Sequence, residues 1–357
     1  PGIARTIAGL DLGVTVCEDA WQAADMTPST YAADPIESLA EWGRQGVKLD
    51  ATVNLSASPY HSDKLASRIH VCRTAASILN HPFLMANQVG GNDDLLFDGN
   101  SLVAWPDGTV VIAPAWKEGV LMVHLDDPNA CEWLPSTASD ALDVGDDQLR
   151  RLQPDDDGRE HEREVLHDLT DAVVTGLTDY CRKSGIKSIV LGLSGGIDSA
   201  VAACVAAAAV GPENVTGIAM PSRHSSQHSI DDAAHTATSL GLKFDTIPID
   251  SMHASVEGSI GGMLEQGAQV AGENLQARLR GLIVMAHANA QGSMAIATGN
   301  KSELAQGYCT LYGDMAGGYT PLGDLYKMQV YGLADVFNLR AEQQGLTAPV
   351  NASTRTK

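Results

Sequence analysis

The sequence predicts an α/β protein built of two units, and three observations carry that prediction. Short apolar runs alternate with stretches of helical periodicity, the pattern of βαβ units and of parallel sheets covered by helices. The length, 357 residues, exceeds one typical domain and suits two. The composition changes abruptly over residues 126–157, where ten acidic residues and three prolines (Pro128, Pro135, Pro154) interrupt the alternation. The expected organisation is a first unit over 1–125, an acidic linker over 126–158 and a second unit over 159–357.

Composition excludes several classes of function. With 44% hydrophobic and 19% charged residues, the chain can bury a sizeable core and is not globally disordered. The formal net charge is −21, from 23 Lys+Arg against 44 Asp+Glu. That charge opposes a phosphate backbone or an anionic bilayer, so neither nucleic acid nor membrane is expected as a partner. The acidity is lopsided, with 9 basic and 24 acidic side chains over 1–158 against 14 and 20 over the remainder. No apolar stretch reaches the ~18 residues of a membrane span, and no signal peptide is visible before the first strand. The six cysteines are widely and irregularly spaced without a CxxC. This favours free thiols in a reducing, cytoplasmic setting over zinc or a disulfide framework.

In chain order, the first unit reads as strand 9–16, helix 36–45, strand 51–55, helix 64–79 and strand 82–87. Strands 101–105 and 109–112 then flank the turn Pro106-Asp107-Gly108. Asp155-Asp156-Asp157-Gly158 closes the linker as a solvated acidic loop, a reading preferred to a metal site. The second unit opens on a helix whose Val165, Leu169, Val173, Leu177 and Tyr180 share a face. There follow strand 188–193, helix 200–210, strand 215–220, helix 230–240 stopped by Gly241, strand 243–249, helix 273–289 and strand 294–298.

The first chemical motif is Ser194-Gly195-Gly196-Ile197-Asp198-Ser199, between an apolar strand and a helix. Paired glycines let the backbone turn tightly and approach a ligand. The helix N-terminus offers unpaired N–H groups to an anion, and Ser194 and Ser199 add hydroxyl donors. Asp198 would repel a bare phosphate, which implies a bridging cation such as Mg²⁺. The loop has no Walker GK[ST] ending and no GxGxxG. The competing explanation is an ordinary strand–turn–helix with an N-cap serine. The motif resembles the PP-loop pyrophosphatases, which cleave ATP between the α and β phosphates and pass an adenylate to a nucleophile.

A second block runs from Thr298 through Glu303 and Gly307-Tyr308-Cys309-Thr310 to Asp324-Leu325-Tyr326-Lys327. Together with Glu273-Asn274-Leu275-Gln276-Ala277-Arg278-Leu279-Arg280 and Met220-Pro221-Ser222-Arg223 it resembles the NAD⁺ synthetase family over residues 160–357. That resemblance implies a Rossmann-like, doubly wound parallel sheet of the PP-loop ATP pyrophosphatase type. It also implies ATP and deamido-NAD⁺ as substrates. By the same resemblance Ser194, Gly195, Gly196, Asp198 and Ser199 hold the pyrophosphate end of ATP, and Thr298 and Arg223 contact ATP. Asp198 and Glu303 bind Mg²⁺. Asn274, Arg278 and Glu303 face the dinucleotide, and Lys327 supplies mobile positive charge. On their own, Arg278 and Arg280 read equally well as a solvated helix face. His224, His228 and His235 read as polar loop residues rather than metal ligands.

A third motif is Cys17, at the end of the apolar run Val14-Thr15-Val16. A nucleophilic thiol needs an adjacent base or a lowered pKa; the alternative is a small buried residue closing a strand. With Asn54-Leu55-Ser56-Ala57-Ser58-Pro59-Tyr60, Lys64, Arg68 and Phe97-Asp98-Gly99-Asn100-Ser101, the segment resembles the nitrilase-superfamily amidase domain fused to NAD⁺ synthetase as a glutaminase. The implied fold is part of an αββα sandwich, with Cys17 as nucleophile and Ser58 and Lys64 in glutamine recognition. The family's triad is Glu–Lys–Cys, and no Glu or Lys precedes Cys17. The expectation is a fragment shortened at both ends that does not hydrolyse glutamine as written.

The function implied is a glutamine-hydrolysing NAD⁺ synthase, a carbon–nitrogen ligase taking L-glutamine or ammonia as nitrogen donor and acting as a homo-oligomer. The rivals are another PP-loop amidotransferase or adenylating ligase, and a catalytically silent nucleotide-binding scaffold.

Overall fold

The structure, a computed structural model, describes residues 1–6, 9–27, 31–136, 148–154, 162–264 and 270–356. Its contacts divide the chain into Pro1–Ala172 and Val173–Lys357.

The first unit contains β1 (Gly2–Arg5), β2 (Asp11–Val16), α1 (Pro35–Arg44), β3 (Ala51–Ser56), α2 (Lys64–Leu79) and β4 (Phe83–Asn87). A small hairpin, β5 (Val89–Asn92) and β6 (Leu95–Asp98), precedes β7 (Leu102–Ala104) and β8 (Val110–Ile112). A second small hairpin pairs β9 (Gly119–Met122) with β10 (Glu132–Pro135), and β11 (Arg150–Leu152) follows. Seven strands form one sheet in the order β1-β2-β3-β4-β7-β8-β11. Only β2, β3 and β4 are mutually parallel; the other neighbours are antiparallel. The register sets Val16 beside Leu55 and Leu55 beside Ala86. Cys17, Ser58 and Asn87 therefore gather at the carboxyl ends of the parallel trio.

Period-two alternation decides what each sheet face buries. Leu102, Ala104, Val110 and Ile112 join Phe83, Met85 and the α2 residues Ile69, Cys72 and Ala76 in one core. Val103 and Val111 point the other way, to Trp105 and Cys131. At the start of α1, Asp34 accepts hydrogen bonds from the backbone N–H groups of Ile36 (2.8 Å) and Glu37 (3.2 Å), an N-cap followed by Pro35 at the first helical position. The described residues supply this one large sheet of the expected sandwich.

The structure differs from the linker reading of 126–158. Residues 132–135 pair with β9, and β11 extends the sheet antiparallel to β8. Acidic, proline-rich composition hides both strands because their partners lie elsewhere in the sequence. The Asp155–Gly158 run and residues 137–147 lie outside the described residues.

Helix α3 (Glu162–Ser184) carries the division between the units. Beyond it come β12 (Ile189–Gly192), α4 (Ile197–Val210), β13 (Val215–Ala219), α5 (Gln227–Leu240), β14 (Lys243–Thr246) and α6 (Asp250–Leu264). Then follow α7 (Val270–Gln291), β15 (Met294–Ala295), α8 (Lys301–Gln306) and α9 (Lys327–Gln343). The strands are all parallel, in the order β14-β13-β12-β15. The chain runs outward from β12 to β14 and then returns to the far side of β12. That reversal makes the gap beyond the carboxyl ends of β12 and β15 the place where an open α/β sheet takes ligands. Residues 199–207 of α4 are all buried, as a helix apolar on every side requires.

Helices α6, α8 and α9 fall outside the elements that the sequence predicts. Gly258, Gly261 and Gly262 weaken the helical signal of α6, whereas Val330, Leu333, Ala334 and Val336 do carry helical spacing in α9. All five tryptophans (Trp21, Trp42, Trp105, Trp116, Trp133) belong to the first unit. No helix among the described residues is long and apolar enough to cross a membrane.

Candidate functional site

In the second unit the turn after β12 is held by its own hydroxyls. Ser194 Oγ lies 3.1 Å from Ser199 Oγ and accepts from Gly196 N–H at 3.2 Å. Ser199 Oγ donates to Gly196 O at 2.9 Å and accepts from Ser194 N–H at 3.2 Å. Gly195 has φ +74°, and a Cβ there would sit 2.1 Å from Ser229 O at the start of α5. Only glycine fits both the backbone and the space.

Asp198, in the first turn of α4, faces two donors from distant segments. Asn300 Nδ2 donates to it at 2.8 Å, and Lys327 Nζ forms a close ion pair with the other oxygen. Asn300 is fully buried and caps α8 through a reciprocal box. It accepts from Glu303 N–H at 3.0 Å, while Glu303 accepts from Asn300 N–H at 3.1 Å. Glu303 is half-buried, and burial pushes its carboxyl pKa up. The Asn300 backbone hydrogen bond and Lys327 oppose that shift, and the charges of Asp198 and Asp314 add to it. Among the described residues no group of three or more His, Cys, Asp or Glu side chains is arranged to hold a metal ion.

Beside the loop opens a cavity of about 390 Å³, lined by Ser194, Met220, Arg280, Gly281, Thr298 and Asp314 among others. Its floor is tight: a Cβ on Gly281 would lie 2.8 Å from Gly313 O. Arg280 Nε donates to Met220 O at 3.2 Å, and burial lowers its guanidinium pKa.

The structure thus gathers Ser194, Gly195, Gly196, Asp198, Ser199, Glu303 and Lys327 around the loop, with Thr298 on the adjoining cavity wall. Three other expected residues have partners within the chain. Arg223 is absent from the cavity lining, and its guanidinium lies 3.5 Å from both Asp250 and Glu257. Arg278 donates to Leu311 O at 3.2 Å, and Asn274 accepts from Thr310 Oγ1 at 2.9 Å, so both tie α7 to the 310–311 segment. The sequence reading gave no role to Asn300, Arg280 or Asp314. Asn300 had a signal, because Asn followed three residues later by Glu is a helix-start signature. Of the histidines, His228 lies 3.6 Å from Asp232, and His235 contacts Ala348 O at 3.0 Å.

In the first unit Cys17 follows β2 with φ +48°, a left-handed backbone that is uncommon for a residue with a side chain. The fully buried Asn54 donates to Cys17 O at 3.2 Å and to Thr15 Oγ1 at 3.0 Å, which pins this turn. The thiol is partly exposed, whereas Cys72 and Cys204 are buried, and burial pushes both thiols' pKa far up. Lys64 Nζ sits 4.3 Å above the Trp21 ring. Burial, then the neighbouring Arg68, lowers the Lys64 pKa, and Asp98 foremost acts against that shift. Ser58 is buried.

Residues 169–349, just over half the chain, match the family described as NAD synthase. The chain belongs to the NAD synthase family. Residues 7–133 match the carbon–nitrogen hydrolase family. The chain is 44% identical over 322 residues to the glutamine-dependent NAD(+) synthetase of Rhodobacter capsulatus, covering 90% of this chain and 52% of that protein. It is 39% identical over 330 residues to the enzyme of the same name from Synechocystis, covering 92% and 54%. Among solved structures it resembles glutamine-dependent NAD+ synthetase from Acinetobacter baumannii in complex with ADP. That match has a TM-score of 0.79 at 31% identity, covering 100% of this chain and 60% of that one. The chain spans about half the length of the curated relatives it matches.

Proposed function

We propose that this NAD synthase chain acts in glutamine-hydrolysing NAD⁺ synthesis. ATP adenylates the nicotinate carboxylate of deamido-NAD⁺, and ammonia from glutamine displaces AMP. The products are NAD⁺, AMP, pyrophosphate and glutamate. The observation that carries the reading is the Ser194–Ser199 turn at the sheet's switch point, with Asp198 set between Asn300 and Lys327.

In this reading Ser194, Gly195, Gly196 and Ser199 present hydroxyls and backbone N–H groups to the pyrophosphate of ATP. Thr298 borders the nucleotide in the adjoining cavity. Arg223 reaches ATP by leaving Asp250 and Glu257, a modest cost for a half-exposed side chain. Lys327 moves from Asp198 to the departing phosphates. Asn274, Arg278 and Glu303 meet the dinucleotide.

The donor set fits magnesium. Asp198 and Glu303 offer hard carboxylate oxygens, and two are enough for an ion that takes its remaining ligands from water and phosphate. Burial first, and then the charge of Asp198, raise the Glu303 pKa, and a cation held between the two carboxylates would offset both. When bound, Mg²⁺ supplies neutralisation of charge building on the pyrophosphate.

In the first unit Cys17 is the nucleophile toward the glutamine side-chain amide, with Ser58 and Lys64 recognising the amino acid. The free thiols suit a cytoplasmic setting, and exposed Tyr308, Leu311 and Tyr312 support a homo-oligomer.

The test is NAD⁺ formation from deamido-NAD⁺, ATP and ammonium by the full-length protein. Asp198→Ala is expected to lower AMP and pyrophosphate release by at least about 100-fold. Undiminished release in that variant sinks the reading.

A further inference from the structure

Arg68 on α2 is wholly withdrawn from solvent. Its guanidinium grips the equally buried Asp98 with two hydrogen bonds of 2.7 Å. Two further donors go to one residue, with Nη2 bonded to Ser58 O at 3.0 Å and Nε to Ser58 Oγ at 3.4 Å. Ser58 N–H donates to Asn87 Oδ1 at 2.9 Å, and Asn87 Nδ2 is tied to Gly99 O at 2.9 Å. The backbone N–H, the carbonyl and the hydroxyl of Ser58 are thus each fixed by a buried partner. Behind Asp98 the network continues through Asn100 Nδ2 at 2.5 Å to Arg150 on β11.

Core filling does not explain this arrangement. Two apolar side chains of similar volume would occupy the site without desolvating two charges, and such replacements are commonly neutral or stabilising. What the ion pair adds is direction: a rigid planar fork held by Asp98, with donors left over at fixed angles. Those donors meet only Ser58. Arg68 also lies one helical turn after Lys64, so the same pair sets the charge beside that lysine.

We propose that Arg68, oriented by Asp98, is a positioning residue that holds Ser58, with Lys64 one turn away on the same helix, in the geometry that receives glutamine. It touches no substrate. The proposal rests on the glutaminase reading above.

The test uses the full-length protein carrying this chain, with the apolar double variant Arg68→Met/Asp98→Leu. The variant is expected to keep a cooperative melt. Its KM for glutamine is expected to rise at least about tenfold while kcat changes less than about threefold, the size of lost hydrogen bonds. Alkylation of Cys17 by iodoacetamide should keep its rate, while alkylation by a glutamine-shaped diazoketone slows in step with KM. A merely structural role would slow both reagents or neither.

A folded double variant with the unsubstituted KM and alkylation rates overturns the proposal. Should the double variant not fold, Arg68→Lys gives the same reading. It keeps the charge for Asp98 but loses the fork, and an unchanged KM there also overturns the proposal. If the unsubstituted protein releases no Cys17-dependent glutamate from glutamine, the glutaminase reading falls and takes the positioning role with it. Cys17-dependent release with KM unmoved in the variants removes the positioning role alone.

Discussion

Gly195 and His81 show how much a single position can carry. At Gly195 a left-handed backbone and a neighbouring carbonyl exclude every side chain. Gly195→Ala should cost about 1–3 kcal/mol from backbone strain alone, plus the displacement of α5. Gly241→Ala, at φ +75° with open space around it, isolates the backbone component. Calorimetric titration with ATP is expected to show a loss for Gly195→Ala of at least about tenfold and no loss for Gly241→Ala. His81 Nε2 lies 2.8 Å from Thr52 Oγ1, and burial holds its pKa below the usual 6.5 against the pull of Asp50. The unfolded chain then binds the proton more readily than the folded one. The stability contribution is present above the unfolded pKa and lost as pH falls through the folded value. The melting temperature of the first unit should therefore drop as the pH falls below the usual histidine value of about 6.5, and His81→Asn should flatten that slope. A steeper slope in the variant would contradict the assignment. Cys17 and the Ser194–Ser199 turn stand out in the sequence because one closes an apolar run and the other is a local word between a strand and a helix. The Arg68–Asp98–Ser58 lock was not. Arg68 lies 10 residues from Ser58 and 30 from Asp98, and the three meet only after the sheet forms.

Helix α8 is short, yet its cap joins two jobs. Asn300 satisfies the first turn and also orients Asp198. Asn300→Ala should cost about 1–2 kcal/mol as a lost N-cap, read as a lower urea midpoint with an unchanged slope. It should weaken ATP binding in addition, whereas a purely structural cap would leave ATP affinity intact. Elements differ in legibility for a physical reason. The strand–turn–helix from β12 into α4 is written in contiguous apolar residues around a glycine pair. β10 and β11 have few apolar residues of their own and become strands because β9 and β8 offer open edges. The Arg223 and Arg278 placements were hidden likewise, since their partners Asp250, Glu257 and Leu311 come from other segments.

At the scale of the molecule, the acidity has a place. Residues 126–157 hold ten of the 44 acidic side chains, and the unit proposed to receive ATP and a dinucleotide is the less acidic one. ATP with magnesium at 100 times its Kd should stabilise that unit by about 2.7 kcal/mol, or about 5–10 °C in a body of this size. Helical circular dichroism should register the shift, because most of the helix lies beyond Val173. The placement of all five tryptophans before that point gives the molecule a one-sided optical label. Light at the red edge of the aromatic band excites indole and not phenol, so emission reports the first unit while the unit proposed to bind nucleotide stays dark. Titrated with ATP, the emission melt should stand still as the dichroism melt climbs. An emission melt that climbs with it would mean that the two halves unfold as one.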